Sequence, residues 1–276
     1  MKQNVKRLPY GINDFEAVIE QNQYYVDKTM YLPLLENQPS NIIFIRPRRF
    51  GKSIFLSMLH AYYDCSKKEK FQTLFGDLWV GKHPTPLQGR YQVLHLDFSY
   101  VGGSIDKLEE NFDMYLRVKL DGFMRIYQEF YLTDFKEKFF KTDSATEKLA
   151  LLQDETATKS IPLYLIIDEY DNFTNTVLNE QGEKVYWAIT HADGFYRDVF
   201  KKFKGMFERI FITGVSPVTL DDVTSGFNIG WHISTKPEFN QMLGFSLEEV
   251  RKMFAYYKEV GGIPATSDIE VMIDEM

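Results

Sequence analysis

The segment from Arg46 to Ser53, Arg-Pro-Arg-Arg-Phe-Gly-Lys-Ser, combines residue types that bind phosphate. It ends like the pattern G-x-x-x-x-G-K-[ST], although Arg46 stands where that pattern has its first glycine. In such a loop the glycine lets the backbone approach an anion, the lysine reaches the β- and γ-phosphates, and the hydroxyl takes one position on Mg²⁺. The sequence therefore predicts nucleotide contacts from Arg48, Arg49, Phe50, Gly51, Lys52, Ser53 and Ile54.

Two adjacent acids further along the chain complement this loop. Asp168 follows a run of apolar residues and is predicted to hold Mg²⁺, and Glu169 is predicted to orient or activate the attacking water. Thr213 is a candidate for contact with the γ-phosphate or its water, and the competing interpretation is a threonine satisfied by the backbone before Gly214. Asp171 is interpreted as a helix-capping or solvent-facing acid. The predicted catalytic residues are Lys52, Glu169 and Thr213, and the predicted metal ligands are Ser53 and Asp168.

Alternating strand and helix patterns place these residues together. Strands are predicted from apolar runs at Asn41–Ile45, Tyr91–Asp97, Pro162–Asp168 and Arg209–Thr213. Helices are predicted after Ser53, from Ser104 as N-cap, within 142–160, and over Lys184–Phe203. Nearly continuous apolar strands separated by helices predict an α/β fold with a mostly parallel sheet covered on both faces. Because parallel strands end at one edge, the loop and the acids should meet there.

A change of pattern follows Gly244. Ser246 with Glu249 three residues later predicts a capped helix start. We therefore expect a main domain over residues 1–245 and the start of a small helical lid or second domain over 246–276. No closing feature is visible at Met276, so the natural protein is expected to be longer.

The composition restricts the partners. A formal net charge of -7 gives the whole molecule no general attraction to nucleic acid or to an anionic membrane, so positive charge must be supplied locally by Arg46, Arg48 and Arg49. Pro47 is expected to hold the turn and to leave the Arg46 side chain pointing outward. A single cysteine excludes an internal disulfide, and no apolar run is long enough to span a bilayer. These features predict a soluble, cytoplasmic protein with no membrane partner.

Four segments together resemble the bacterial AAA-ATPase-like family, whose members often carry a nuclease-like domain of the PD-(D/E)xK type after the ATPase. They are residues 8–36, 46–59, which reads RPRRFGKSIFLSML, 163–173, which reads LYLIIDEYDNF, and 211–250. Arg46 in place of glycine is similar to that family's own loop. The resemblance implies a P-loop NTPase sheet of the additional-strand type, with ATP and Mg²⁺ as ligands and Thr213 as the residue that senses the γ-phosphate. Tyr24–Thr29 matches a family signature, either as a wall of the base pocket or as a strap on the sheet.

These observations predict an ATPase that hydrolyses ATP with Mg²⁺ and moves a lid or an appended effector domain. A nucleotide switch with little turnover, a small-molecule or nucleoside kinase, and an ATPase of a nuclease-linked DNA-processing or defence system stay open as alternatives. The partners left open are nucleic acid, a homo-oligomer and a C-terminal nuclease-like domain in a longer form. Arg197 and Arg209 are the candidates for an arginine acting on a neighbouring subunit, and surface ion pairing is the competing interpretation.

Overall fold

A five-stranded parallel sheet forms the centre of the fold. The computed structural model describes residues 5–102, 107–172, 175, 177–178, 182–190, 194–216 and 230–275. The strand order is β2-β3-β4-β1-β5. The strands are β1 (Asn41–Ile45), β2 (Gln92–Asp97), β3 (Leu163–Asp168), β4 (Arg209–Gly214) and β5 (Trp231–His232). The α/β class and the parallel arrangement predicted from the sequence are confirmed, and the four predicted strands lie within one residue of their expected bounds.

Helices cover both faces of this sheet. They are α1 (Phe15–Glu20), α2 (Leu32–Glu36), α3 (Lys52–Tyr63), α4 (Phe71–Phe75), α5 (Trp79–Lys82), α6 (Leu108–Ile126), α7 (Thr133–Lys141), α8 (Ala145–Lys159), α9 (Glu183–Thr190), α10 (Phe195–Met206), α11 (Leu247–Glu259) and α12 (Ile269–Asp274). Short 3₁₀ turns occupy Thr29–Tyr31, Cys65–Lys70, Phe98–Tyr100, Gln128–Phe130 and Pro237–Phe239. No helix in the described ranges has both the length and the apolar character needed to cross a membrane.

Alternating strand residues build two separate hydrophobic layers. In β1, Ile42 and Phe44 pack in the layer that contains α3, whereas Ile43 packs in the layer that contains α6, α8 and α10. Every residue of β3 is buried. Burial on both faces explains the continuous apolar runs of these strands, and each large apolar side chain contributes roughly 1.5–3 kcal/mol to folding. The sheet is therefore a rigid support for the loops at its carboxyl edge.

The position of β4 matters for the site. It pairs with β1 on one side and with β3 on the other, so one additional strand separates the strand before the phosphate-binding segment from the strand that ends in Asp168. The fifth strand was missed because a two-residue strand with exposed side chains has no apolar periodicity.

Two predicted helices differ from the observed ones. The helix predicted over Lys184–Phe203 is wrong as a single element, because α9 ends at Thr190 and α10 begins after Gly194 as N-cap. The second long helix begins at Leu108, later than the predicted start, and Ser104 lies outside the described residues. The capping box of α11 is confirmed, with the Ser246 hydroxyl accepting from the amide of Glu249 and the Glu249 carboxylate accepting from the amide of Ser246.

Candidate nucleotide-binding site

Residues 46–53, here called the phosphate loop, connect the end of β1 to the start of α3. Gly51 is the N-cap of α3 with a φ of 84°, and Arg49 has a φ of 68°. Both values lie in the left-handed region, which turns the chain sharply between strand and helix. Because the first N–H groups of a helix have no acceptor inside the helix, the loop presents donors and a positive dipole end to an anion.

Lys52 is held inside this loop. Its ammonium donates to the carbonyl oxygens of Arg46 and Pro47, each at 3.1 Å, and lies 3.7 Å from Oε1 of Glu169. The side chain is buried although it begins a helix at the surface of the sheet. These contacts place one positive charge between the loop and the acids.

Arg46 does not point outward as the sequence analysis expected. Its guanidinium donates to the carbonyl of Ser234 at 2.8 Å and to its own neighbour Ile45 at 3.0 Å, and it lies 4.4 Å from the centre of the Phe44 ring. The arginine that replaces the first glycine therefore fastens the loop to the segment after β5. Arg48 and Phe50 are exposed, and Ile54 is partly buried behind the loop.

The ends of β1, β3 and β4 bring the predicted acidic residues to the loop. The Ser53 hydroxyl donates to one oxygen of Asp168 at 2.6 Å, and the Thr213 hydroxyl donates to the other at 2.7 Å. Asp168 and Thr213 are buried. The interpretation of Thr213 as a threonine satisfied by the backbone is wrong, since its hydroxyl proton goes to Asp168.

Glu169 has an unusual backbone for its residue type. Its φ is 52°, in the left-handed region where residues with a Cβ are uncommon, and its amide donates to Asp168 at 3.0 Å. Burial raises the pKa of Glu169, Lys52 opposes this shift, and the nearby charges of Asp168 and Asp171 add to it. A carboxylate with a raised pKa is a stronger base than an ordinary glutamate, which suits it to accept a proton from water.

Asp171 is buried, so the expectation of a solvent-facing acid is wrong. Its carboxylate accepts from the amides of Val215 and Ser216, the latter at 2.6 Å. A Cβ added to Gly214 would lie 2.3 Å from Tyr170 and 2.5 Å from Asp171. The close approach ties the turn that carries Glu169 to the end of β4.

Two further polar residues make no hydrogen bond to this cluster within the described part of the chain. Asp97 ends β2 beside Asp168 in register and accepts from the amide of Ser99 at 2.9 Å. Arg209 lies at the opposite end of β4 and donates to the main-chain carbonyl of Glu36 at 2.6 Å, so it ends helix α2 and forms no surface ion pair in the described chain. Its distance from the loop leaves it outside the site.

Oxygen donors suit a magnesium ion at Ser53 and Asp168. No cluster of three or more His, Cys, Asp or Glu side chains suited to a metal occurs in the described residues. Mg²⁺ is commonly held by one or two protein oxygens together with substrate phosphates, so a hydroxyl and a carboxylate 2.6 Å apart fit that ion.

An apolar pocket of about 560 Å³ lies beside the phosphate loop, a size typical of sites for small ligands. Its walls come from the N-terminal segment, the loop and the C-terminal segment: Leu8, Pro9, Ile12, Tyr24, Tyr25, Val26, Lys28, Arg49, Phe50, Gly51, Ile54, Phe55, Met242, Leu243, Gly244, Phe245, Val250 and Met253. Sequence reasoning missed the C-terminal wall because those residues follow no phosphate motif.

The Tyr24–Thr29 segment fastens the pocket walls together. Lys28 is buried and bonds to Glu249 of α11 at 2.5 Å and to the carbonyl of Gln241 at 2.8 Å. Asp27 accepts from the amides of Thr29 and Trp79. The segment lines the apolar pocket and joins neighbouring elements, and its role as a wall of a base pocket stays a prediction.

Comparison with known sequences agrees with this geometry. The profile of the predicted AAA-ATPase family matches residues 9–224. An uncharacterized protein from the vnfD 5′ region of Azotobacter chroococcum mcd 1 is 24% identical over 267 residues, which cover 91% of this chain and 45% of that relative. The chain therefore spans about half the length of the curated relative that it matches.

Proposed function

The chain belongs to the predicted AAA-ATPase family, and we propose that it binds ATP with Mg²⁺ and hydrolyses it to move its C-terminal segment. One observation carries the proposal: the 2.6 Å hydrogen bond between Ser53 and Asp168, which joins the phosphate loop to the acidic sheet edge at a single point. Two segments far apart in sequence meet there with the donors that a metal-bound triphosphate requires.

Each side chain has one task in this proposal. Lys52 and the amides of residues 48–54 bind the β- and γ-phosphates, and Ser53 and Asp168 hold Mg²⁺, which neutralises charge on the phosphates. Glu169 orients the attacking water and accepts its proton. Thr213 contacts the γ-phosphate or that water and holds Asp168 in place through its hydroxyl.

The apolar pocket binds the nucleobase. It adjoins Gly51 at the start of α3 and is lined by aromatic rings, including Tyr24 and Phe50, against which a flat base can pack. The Tyr24–Thr29 segment then serves as one wall of the base pocket.

The C-terminal lid, residues 246–275, is coupled to the phosphate loop through the bend that precedes it. The amide of Gly244 donates to the carbonyl of Phe50 at 3.0 Å, and Gly244 has a φ of 78° that suits a bend before α11. A shift of the loop on hydrolysis is thereby transmitted to α11 and to whatever domain follows it in a longer form.

Two matched variants test the proposal. Lys52→Ala should abolish ATP binding measured by calorimetry, because the loop loses the ammonium assigned to the β- and γ-phosphates. Glu169→Gln should keep binding and lose about 10²–10⁴-fold in phosphate release, the range expected for a positioned acid–base group. The exposed residues Lys138 and Glu110 supply controls, Lys138→Ala and Glu110→Gln, which should match the parent chain.

Turnover that survives Glu169→Gln would remove that residue from the reaction. Tight binding with no phosphate release by the parent chain would favour the nucleotide switch, and labelled product other than inorganic phosphate would favour a kinase. Stimulation of turnover by DNA would favour the DNA-processing alternative.

A further inference from the structure

A second cavity reaches the Ser53–Asp168 pair from the side of β2. This polar cavity has a volume of about 470 Å³ and runs between α3 and α6, with Ser53 and Asp168 among its lining residues. Its volume lies in the range of small-molecule sites and far exceeds the space of a single water or metal ion. The phosphate and metal contacts proposed above use only its Ser53 and Asp168, and the proposed base pocket does not use it.

The cavity lies at the edge of the sheet. Two tyrosine hydroxyls cover the free edge of β2, since that of Tyr115 in α6 accepts from the amide of Asp97 at 2.7 Å and that of Tyr127, the C-cap of α6, accepts from the amide of Val93 at 2.8 Å. Between these two contacts α6 stands away from the strand, and Gly122, which lines the gap, would have no atom within 4 Å of an added Cβ. The tyrosines therefore hold the cavity open as a built feature.

Three polar side chains of this cavity, Lys119, Asp97 and His95, keep capacity to contact a ligand, although Asp97 accepts from the amide of Ser99 at 2.9 Å. Lys119 and Asp97 both line it, and neither forms an ion pair with any residue in the described ranges. His95 lies between them on the same side of β2, and its ring nitrogens have no hydrogen-bond partner within that part of the chain. Burial, with smaller effects from His60, Lys119 and Lys67, lowers the pKa of His95 to about 3, so this imidazole is neutral.

The arrangement of these groups selects a ligand class. An ammonium at Lys119 suits a phosphate monoester, a carboxylate at Asp97 suits a pair of hydroxyl donors, and a neutral imidazole at His95 can donate one hydrogen bond and accept another. The neighbouring His60 is oriented by Asp64 at 3.0 Å, which leaves its other nitrogen for a further polar contact. A ligand with hydroxyl groups and one anionic end satisfies all of them.

We propose that the polar cavity binds a hydroxyl-bearing phosphate monoester, a sugar phosphate or a nucleoside monophosphate, next to the Ser53–Asp168 pair. The link to turnover rests on the proposed function, because the ligand would touch the two residues assigned to the metal. Binding itself does not depend on that assignment. Binding of a second small molecule in the cavity would thus influence the ATPase site.

Calorimetric titration of ribose 5-phosphate tests this, carried out in the Lys52→Ala background so that the phosphate loop cannot account for the heat. Saturable binding is expected, with ribose and inorganic phosphate each at least about tenfold weaker, since each lacks one of the two recognised groups. Tighter binding of AMP than of ribose 5-phosphate would identify a nucleotide as the source, and the reverse order a sugar phosphate.

Three variants locate the site. Gly122→Leu should abolish ribose 5-phosphate binding by filling the cavity without a backbone clash, and Lys119→Met and Asp97→Asn should each weaken it about tenfold or more. Lys138→Met, an exposed lysine away from the cavity, should have no effect. Absence of saturable binding, or binding unchanged in Gly122→Leu, overturns the inference. ADP binding to the parent chain is measured separately, so a failed nucleotide site and a failed second site are distinguished.

Discussion

The phosphate loop and the apolar pocket meet at Gly51 but are held together differently. At the loop, two short hydrogen bonds to Asp168 join the start of α3, through Ser53, and the end of β4, through Thr213, to the end of β3. At the pocket, the main fastening is the partly buried ion pair between Lys28 and Glu249, two residues 221 positions apart in the chain. The first arrangement depends on a rigid sheet, and the second depends on the two ends of the chain staying in contact.

This difference indicates which part can move. The strand ends are buried and joined by hydrogen bonds, so a movement there would disturb the pairing of the strands in the sheet. The pocket wall contributed by α11 has no fully buried residue, and Tyr24 packs against Tyr256 and Tyr257 at its surface. Local opening is expected where few groups are buried. The α11 wall of the apolar pocket is therefore expected to move more readily than the buried strand ends.

The largest effect is expected from a change that breaks the rigid end. Gly214→Ala would place a Cβ 2.3 Å from Tyr170 and 2.5 Å from Asp171, and neither can retreat because both are buried. Overpacking of this kind costs about 3 kcal/mol, and the displaced turn should also lose turnover. Denaturant unfolding measures the loss of stability.

Gly102→Ala is the control, since its added Cβ meets no atom within 4 Å. Equal stability of the two alanine variants would show that the turn after β3 is not tightly packed against the end of β4.

Breaking the flexible end should cost less. Lys28→Met removes the ammonium that bonds Glu249 and the Gln241 carbonyl, at roughly 2–3 kcal/mol, because Glu249 is partly exposed and keeps its bond to the amide of Ser246. The affinity for ADP should fall together with the stability, since the pocket walls lose the ion pair that joins them.

The test is unfolding together with calorimetry of ADP binding. Lys252→Met, which breaks an exposed pair with Glu248, should change neither quantity. A Lys28→Met variant with parental ADP affinity would show that the strap is structural only.

The two ends should also be separable by ligand. Met253→Trp replaces a thioether side chain of the apolar pocket by a larger indole ring and leaves the residues of the phosphate loop unchanged. ADP binding should weaken about tenfold, which corresponds to about 1.4 kcal/mol, whereas inorganic pyrophosphate should bind as before because it needs the phosphate loop alone. Equal losses for both ligands would place the base elsewhere.

The rigid end was predictable from the sequence and the flexible end was not. The apolar runs before Asp168 and Thr213 identify buried parallel strands, and the shared carboxyl edge of such strands brings their final residues to the loop. Periodicity and motif spacing therefore located the phosphate loop and the acids. The hydrogen bond from Thr213 to Asp168 depends on how neighbouring strands are paired, and the sequence of one strand does not show this pairing.

The pocket walls carry no comparable signal. Met242 and Met253 read as ordinary apolar residues, and only the fold brings them to Phe50 and Tyr24. Local patterns likewise could not reveal that Arg46 bonds the carbonyl of Ser234, because that contact joins positions 188 apart. Contacts between distant positions depend on how the whole chain packs, and local patterns in a single sequence do not reveal them.

The smallest effect concerns pH and sharpens the role of the rigid end. Burial raises the pKa of Glu169, so its carboxylate becomes protonated at a higher pH than an ordinary glutamate, which titrates at about 4.3. Because only the ionised form accepts a proton from water, kcat/KM should fall on acidification through a pKa above that value, while turnover near neutral pH changes little. A pH profile of phosphate release with Mg²⁺ and ATP measures this fall in kcat/KM, the acid limb of the profile.

Glu169→Asp, which keeps the carboxylate but shortens its reach, should retain an acid limb at reduced turnover. Glu169→Gln should lose the limb, and a limb that persists in the glutamine variant would assign the titration to another group.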